Sequence, residues 1–276
     1  MTAVIWSSSV SRPGVSVQPD GAFEVHRALP EEVPVAMVYD GTSHAVMMAT
    51  PADIADFAYG FSLTEGIVTD PGQIDDFEIV EHAGGIEARF WLCTDRREAL
   101  TARRRFMAGP VGCGLCGLDS LEAAARALPA VPDTGLRFGR EDVLQATGAL
   151  RPWQPLHDRT RATHAAGFLR PGEGIVLARE DVGRHNALDK LIGAMVQRGV
   201  DASAGAFVMT SRLSVELVQK CALAGCPALI AVSAPTAHAL RLAESAGITL
   251  AAFARGRGFD LYSHAHRIQE GVPDVA

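Results

Sequence analysis

Apolar residues along this chain follow two spacings, and the switches between them mark out its elements. Val33 to Thr50 reads as two strands around a turn at Asp40-Gly41. Ile54, Phe57, Ala58 and Phe61 then fall on one helical stripe. Thr50 suits the N-cap of that helix, Pro51 suits its first turn, and Gly66 can end it. Ile86 to Leu92 alternates as a half-buried strand does. Asp95 is expected to cap a following helix that carries Arg96, Arg97, Arg103, Arg104 and Arg105. Asp119 and Glu122 have capping-box spacing before a helical run, Leu121 to Leu128. Pro129 to Thr134 reads as a boundary, and Glu141 to Leu150 as a short helix. Residues 1–22, rich in Ser, Pro and Gly, are expected to form a loose tail.

From His164 onward strands and helices alternate. Ala165 to Leu169 and Ile175 to Arg179 predict a hairpin across Pro171-Gly172-Glu173-Gly174. A helix with Leu188, Leu191, Ile192 and Met195 on one face follows. Strands at Ala206 to Met209, Ala228 to Val232 and Ile248 to Phe253 are separated by helices starting near Ser214 and Thr236. Repeated strand–helix–strand units imply a largely parallel sheet covered by helices. Three regions result: the tail (1–22), an N-terminal α/β domain (23–134) and a C-terminal domain (135–270).

At 276 residues and 48% hydrophobic content, the chain can build one large core or two smaller ones. The net charge of -7 argues against general nucleic-acid binding, which wants a basic field. The first residues lack the basic start and apolar run of a secretory signal. No apolar stretch approaches the ~18 residues of a membrane span. A cytoplasmic location without a membrane is therefore expected, and a CxxC there reads as metal binding or redox and sulfur chemistry.

That CxxC is Cys113-Gly114-Leu115-Cys116, flanked by Gly112 and Gly117. Preceding arginines and the following helix N-terminus favour a thiolate, and the glycines leave the sulfur uncovered. Zinc is one alternative, but a second ligand pair at suitable spacing is missing. A thioredoxin-like exchanger is another, but its CxxC should follow a strand directly. Cys93, Cys221 and Cys226 read as small core residues.

A second constellation runs from Glu180 to Lys190 and includes Asp181, Gly183, Arg184 and His185. It falls where a strand ends and a helix opens, the edge at which open α/β sheets bind ligands. Gly183 allows close backbone approach, and a helix start attracts anions. The other strand ends add Thr210-Ser211-Arg212, Ser233 to Thr236, and Arg255-Gly256-Arg257-Gly258, with Thr163 and His164 beside them. Five segments offering arginines, hydroxyls and glycine backbone are expected at one rim, a chemistry suited to a phosphate-bearing or nucleotide ligand. For any single residue there, ordinary helix capping is the competing reading. His264 and His266 read as surface residues.

These residues resemble the FdhD family of sulfurtransferases that serve formate dehydrogenase maturation. The resemblance covers Glu32 to Tyr262. It rests on Glu32-Val33-Pro34-Val35, Gly60 to Gly66, Arg103-Arg104-Arg105, the CGxCG core at 113–117, Thr163-His164-Ala165-Ala166, Glu180 to Lys190, and Ser233-Ala234. It implies a cytoplasmic sulfur carrier, a homodimer. Such a carrier accepts sulfur from a cysteine desulfurase as a persulfide. It passes the sulfur to a bis-molybdopterin guanine dinucleotide cofactor (Mo or W) destined for formate dehydrogenase. Carried over, Cys113 is the persulfide residue and Cys116 its loop partner. The nucleotide end of the cofactor lies against Phe253, Ala254, Arg255, Gly256, Arg257 and Gly258, with His164, Asp181, Gly183, Arg184, His185 and Arg212 around it. The segment 253–258 departs from some relatives in the placing of its basic and glycine positions. The implied fold is a C-terminal cytidine-deaminase-like three-layer sheet with a smaller N-terminal α/β domain. No catalytic zinc is expected, because the H-x-E and P-C-x-x-C signature is missing. Two rivals remain: a chaperone that delivers the cofactor without using its thiols, and a zinc-dependent nucleotide deaminase.

Overall fold

The computed structural model describes residues 6–107, 128–256 and 258–269. The chain's start is a β-hairpin and not a loose tail. Strands β1 (Ser9–Gln18) and β2 (Gly21–Pro30) pair antiparallel over their whole length. Its Ser, Pro and Gly content masked a two-residue alternation, Val15 and Val17 on one strand and Phe23 and Val25 on the other.

Four strands form the N-terminal sheet: β3 (Val33–Tyr39), β4 (Thr42–Ala49), β5 (Ile74–His82) and β6 (Gly85–Leu92), in the order β4-β3-β6-β5. The β3–β4 turn falls at Asp40-Gly41 as expected. Both residues have positive φ (50° and 76°), the backbone a tight two-residue hairpin requires. Helix α1 (Ile54–Thr64) lies over one face of this sheet. Phe57 and Phe61 pack there with Val35, Met37, Tyr39, Ala88 and Phe90, all buried. Sequence reasoning missed β5, because Asp75, Asp76, Glu78 and Glu81 obscure its alternation.

Helix α1 also begins later than expected. Asp53 occupies its N-cap in a left-handed conformation, and Thr50 stands outside the helix with another task, described below. Helix α2 (Thr94–Met107) follows, with Asp95 in its first turn. Arg96 donates to the carbonyls of Gly66 and Ile67, and Arg97 to Asp40 and the Leu92 carbonyl. These two arginines therefore brace the N-terminal lobe; the cysteine loop they were expected to charge lies outside the described residues.

The C-terminal half begins with a short strand, β7 (Phe138–Gly139), helix α3 (Arg140–Leu150) and a brief helix α4 (Pro155–Thr160). Its main sheet holds β8 (His164–Arg170), β9 (Gly174–Asp181), β10 (Ala206–Met209), β11 (Ala228–Ala231), β12 (Thr249–Arg255) and β13 (Gly258–Ser263). The order is β13-β12-β11-β10-β8-β9. Only β10, β11 and β12 run parallel; β8, β9 and β13 join antiparallel. The sheet is thus mixed. The short 171–173 connection makes β8 and β9 antiparallel neighbours, and β13 lies antiparallel beside β12 on the other side of the parallel centre. Strand β14 (Ile268–Gln269) returns to pair with β7.

Helices cover both faces of this sheet. Helices α5 (Arg184–Gln197), α6 (Val215–Leu223) and α7 (Ala237–Ala246) meet Ala166, Phe168, Phe207, Met209, Leu229 and Ala231. Helix α3 meets the alternate residues Ala165, Leu169, Ala206, Val208, Ala228 and Ile230. The period-two pattern of each strand thereby supplies two cores, a helix–sheet–helix sandwich. The two lobes join where α1 crosses α5. A Cβ on Gly60 would lie 1.8 Å from the Asp189 carbonyl oxygen, and one on Gly193 1.8 Å from that of Asp56. Among the described residues no helix is long and apolar enough to cross a membrane.

Candidate functional site

The mixed topology brings the expected polar segments to one edge. Strands β9, β10, β11 and β12 finish there, and β8, antiparallel to its neighbours, begins there with His164 opposite Asp181. Ala165 N–H donates to Thr210 Oγ1 at 2.9 Å, which holds the start of β8 to the end of β10.

Behind the rim lies a saturated polar knot. Asp181 is fully buried; one oxygen accepts from Thr50 N–H (2.9 Å) and pairs with Lys190 Nζ (2.7 Å). Its other oxygen accepts from Gly183 N–H (2.7 Å) and Asn186 Nδ2 (3.0 Å). Lys190 donates further to the Thr50 carbonyl, and Val182 N–H donates to Thr50 Oγ1. Asn186 also donates to the Met48 carbonyl. The end of β4 is thus tied to the first turn of α5. Glu180 works in the same way nearby: its carboxylate accepts from the N–H groups of Leu156 and His157, and from Thr163 Oγ1. It caps the start of α4 from outside.

In front of the knot stand the reachable groups. His164 is half-buried. Burial first, then the positive charge of Arg184, pushes its imidazole below the usual histidine range. Arg184 holds its Nε buried without a hydrogen-bond partner. His185 Nε2 lies 3.1 Å from Ser214 Oγ and 3.3 Å from a Glu216 oxygen. That His185 hydrogen bond, reinforced by Ser214, holds the Glu216 carboxyl down at about 2. Arg212 is exposed beside them. At the end of β12, Phe253 takes φ +51°, a left-handed backbone rare for an aromatic residue, and its ring stays 36% exposed. Arg255 and Gly256 (φ +68°) follow on the surface. A guanidinium with its Nε unpartnered, an exposed aromatic residue and open glycine backbone share one edge. Those features suit an anionic ligand with a flat base.

A family model describing the FdhD/NarQ family matches residues 30–269 of this chain. The chain belongs to the FdhD/NarQ family. The FdhD relatives it resembles include the sulfur carrier protein FdhD of Agrobacterium fabrum, 53% identical over 88% of this chain and 89% of that one. The protein of the same name from Brucella abortus is 52% identical over 91% and 93%, and that from Cupriavidus necator 51% over 87% and 83%. In fold, the chain matches the crystal structure of a protein from Desulfotalea psychrophila described as a formate dehydrogenase accessory protein. Its TM-score is 0.75 at 24% identity, covering 95% of this chain and all of the other.

Within this FdhD/NarQ chain, the two cysteines expected to carry the chemistry, Cys113 and Cys116, lie outside the described residues, as does Arg257. The remaining expected rim residues divide. His164, Gly183, Arg184, His185, Arg212, Phe253, Arg255, Gly256 and Gly258 gather at the edge. Asp181 and Ala254 lie buried behind the edge. Asp181 has every lone pair occupied internally. Ala254 is buried against the α3 face and its carbonyl accepts from Thr147 Oγ1 at 2.6 Å. Cys221 and Cys226 are buried, as expected. Their thiols contact backbone carbonyls, and burial pushes the Cys221 thiol well above its usual range. Sequence reasoning missed Thr50 and Glu216. Nothing in the sequence links Thr50 to a segment 131 residues away, and Glu216 gains meaning only beside His185.

Proposed function

We propose that this protein is a sulfur carrier for formate dehydrogenase maturation. What supports the reading is a chain about half identical, over nearly its whole length, to proteins named sulfur carriers, and bearing a CGLCG thiol pair. In the proposed reaction the Cys113 thiolate attacks the outer sulfur of a cysteine desulfurase persulfide. A new S–S bond forms on Cys113, the donor's S–S bond breaks, and the donor leaves as a thiolate. The outer sulfur then passes to the metal of a bis-molybdopterin guanine dinucleotide, the acceptor substrate. A thiol reductant supplies the two electrons that release it as sulfide.

The rim is the proposed seat of the acceptor's nucleotide end. Arg184 and Arg212 would face its phosphates, Phe253 its base, and Gly183 and Gly256 would let the backbone approach. The protein would act as a cytoplasmic homodimer, with a C-terminal sandwich of the cytidine-deaminase-like class. The deciding experiment is intact-mass analysis after incubation with a cysteine desulfurase and cysteine. A gain of about 32 Da on the Cys113 peptide is expected, the mass of one transferred sulfur. Cys113→Ala should abolish dehydrogenase maturation. Undiminished maturation by that variant would replace sulfur transfer with the role of a cofactor-delivering chaperone.

A further inference from the structure

We propose that the β1–β2 hairpin is an arm that docks on a second copy of this chain, its arginine-bearing face against the acidic edge strand β5. This names the contact surface of the proposed homodimer and rests on that reading, not on sulfur transfer.

The arm is conspicuous for what leaves it uncovered. Each strand is ten residues long, and among the described residues the main contact of β2 with the body is with α4. A two-stranded ribbon alone is at best marginally stable in water. The register puts Val10, Arg12, Gly14 and Ser16 on one face, opposite Leu29, Arg27, Val25 and Phe23. Phe23 and Leu29 are 48% and 49% exposed. Arg12 stands directly across from Arg27, and both are exposed. Like charges facing each other across a strand pair destabilise it. No carboxylate lies on this face of the arm to offset them. Two aligned cations between exposed apolar groups fit a surface that is both acidic and apolar.

Such a surface exists on the same chain. Strand β5 is one edge of the four-stranded sheet, unpaired on its outer side among the described residues. Its nine residues include Asp75, Asp76, Glu78 and Glu81, all exposed, with Ile79 41% exposed among them. Among the described residues, Glu78 alone of these four pairs with a cation, Arg89 of β6. A free edge also offers unpaired N–H and C=O groups. The arm runs through Glu31-Glu32 into β3, which β6 separates from β5, and it rests on α4 instead of on its own β5. Exchange between two copies satisfies both surfaces twice, arm on edge and edge under arm, as a two-fold contact does.

The test is the mass of the full chain by light scattering and sedimentation across a concentration series. Wild type is expected to be dimeric. Arg12→Glu/Arg27→Glu and Asp75→Lys/Asp76→Lys should each dissociate on the order of 100-fold more readily, because each sets like charges against each other. Mixing the two variants should restore the dimer, since every contact in the mixed pair again opposes unlike charges. Circular dichroism identifies a variant that has failed to fold, and restored mass in the mixture shows both partners to be competent. A wild type that stays monomeric would overturn both the homodimer and the arm. A dimer indifferent to Arg12→Glu/Arg27→Glu would overturn the arm and leave the homodimer. Weakened variants that do not restore each other would remove β5 as the docking surface.

Discussion

Asp181 and Lys190 meet at 2.7 Å with both side chains fully buried, and the end of β4 closes over the pair through Thr50. A buried charge stripped of its partner is far more costly than an exposed one. Lys190→Met is therefore expected to destabilise the protein by about 3–5 kcal/mol. Urea unfolding checks this; a loss under about 1 kcal/mol, the scale of a surface pair, would show that the pair is not the anchor described.

The glycine crossing between the lobes gives a second expectation. A methyl group at residue 193 would sit 1.8 Å from the Asp56 carbonyl oxygen, inside any tolerable contact. Both atoms belong to helix backbones, so no side chain can turn aside. Gly193→Ala should cost about 3 kcal/mol despite its better helix propensity. Gly148→Ala, in helix α3 with nothing near its Cβ, serves as control and should be neutral or stabilising. Equal behaviour of the two variants in thermal unfolding would refute the close crossing.

Glu216 sets a pH dependence. Its folded-state carboxyl lies at about 2, below its ordinary value of 4.5. A depressed carboxyl stabilises the fold at pH values above 4.5 and loses that contribution as pH falls from there toward 2. Glu216→Gln should thus be less stable than wild type at neutral pH, and the gap should narrow below pH 4.5. A gap that stays constant from pH 7 to pH 3 would show that the His185 contact does not hold Glu216 ionised.

The rim can be probed with GDP. Loss of a charge-assisted bond to phosphate is worth about 1.5–3 kcal/mol, so Arg184→Ala and Arg212→Ala should each weaken GDP binding about 10- to 100-fold by calorimetry. Equal binding by Arg212→Ala removes that residue from the site. No binding by wild type would sink the nucleotide reading.

The sequence was most legible where one element decides its own pattern. Strand β10, the Asp40-Gly41 turn and the Thr236 N-cap of α7, where Thr236 Oγ1 accepts from Ala239 N–H, could each be read locally. The convergence of strand ends at the rim was also legible, since it follows from chain direction alone. The hairpin that sets β8 antiparallel to β9 could be read from its turn, whereas β5 escaped because an edge strand tolerates carboxylates on its open face. Thr50 looked like a helix cap because its spacing to Pro51 is right; a buried carboxylate across the lobe boundary claims it instead.

Cys221 and Cys226 have one more consequence, for anyone counting thiols. The chain has five cysteines, and these two are sealed inside the α5–α7 core. A thiol reagent added to native protein therefore has at most three rapid targets, Cys93 and the CGLCG pair. The two slow equivalents become a clock for opening of the C-terminal half, running in the same tube in which the fast ones would report on the proposed persulfide.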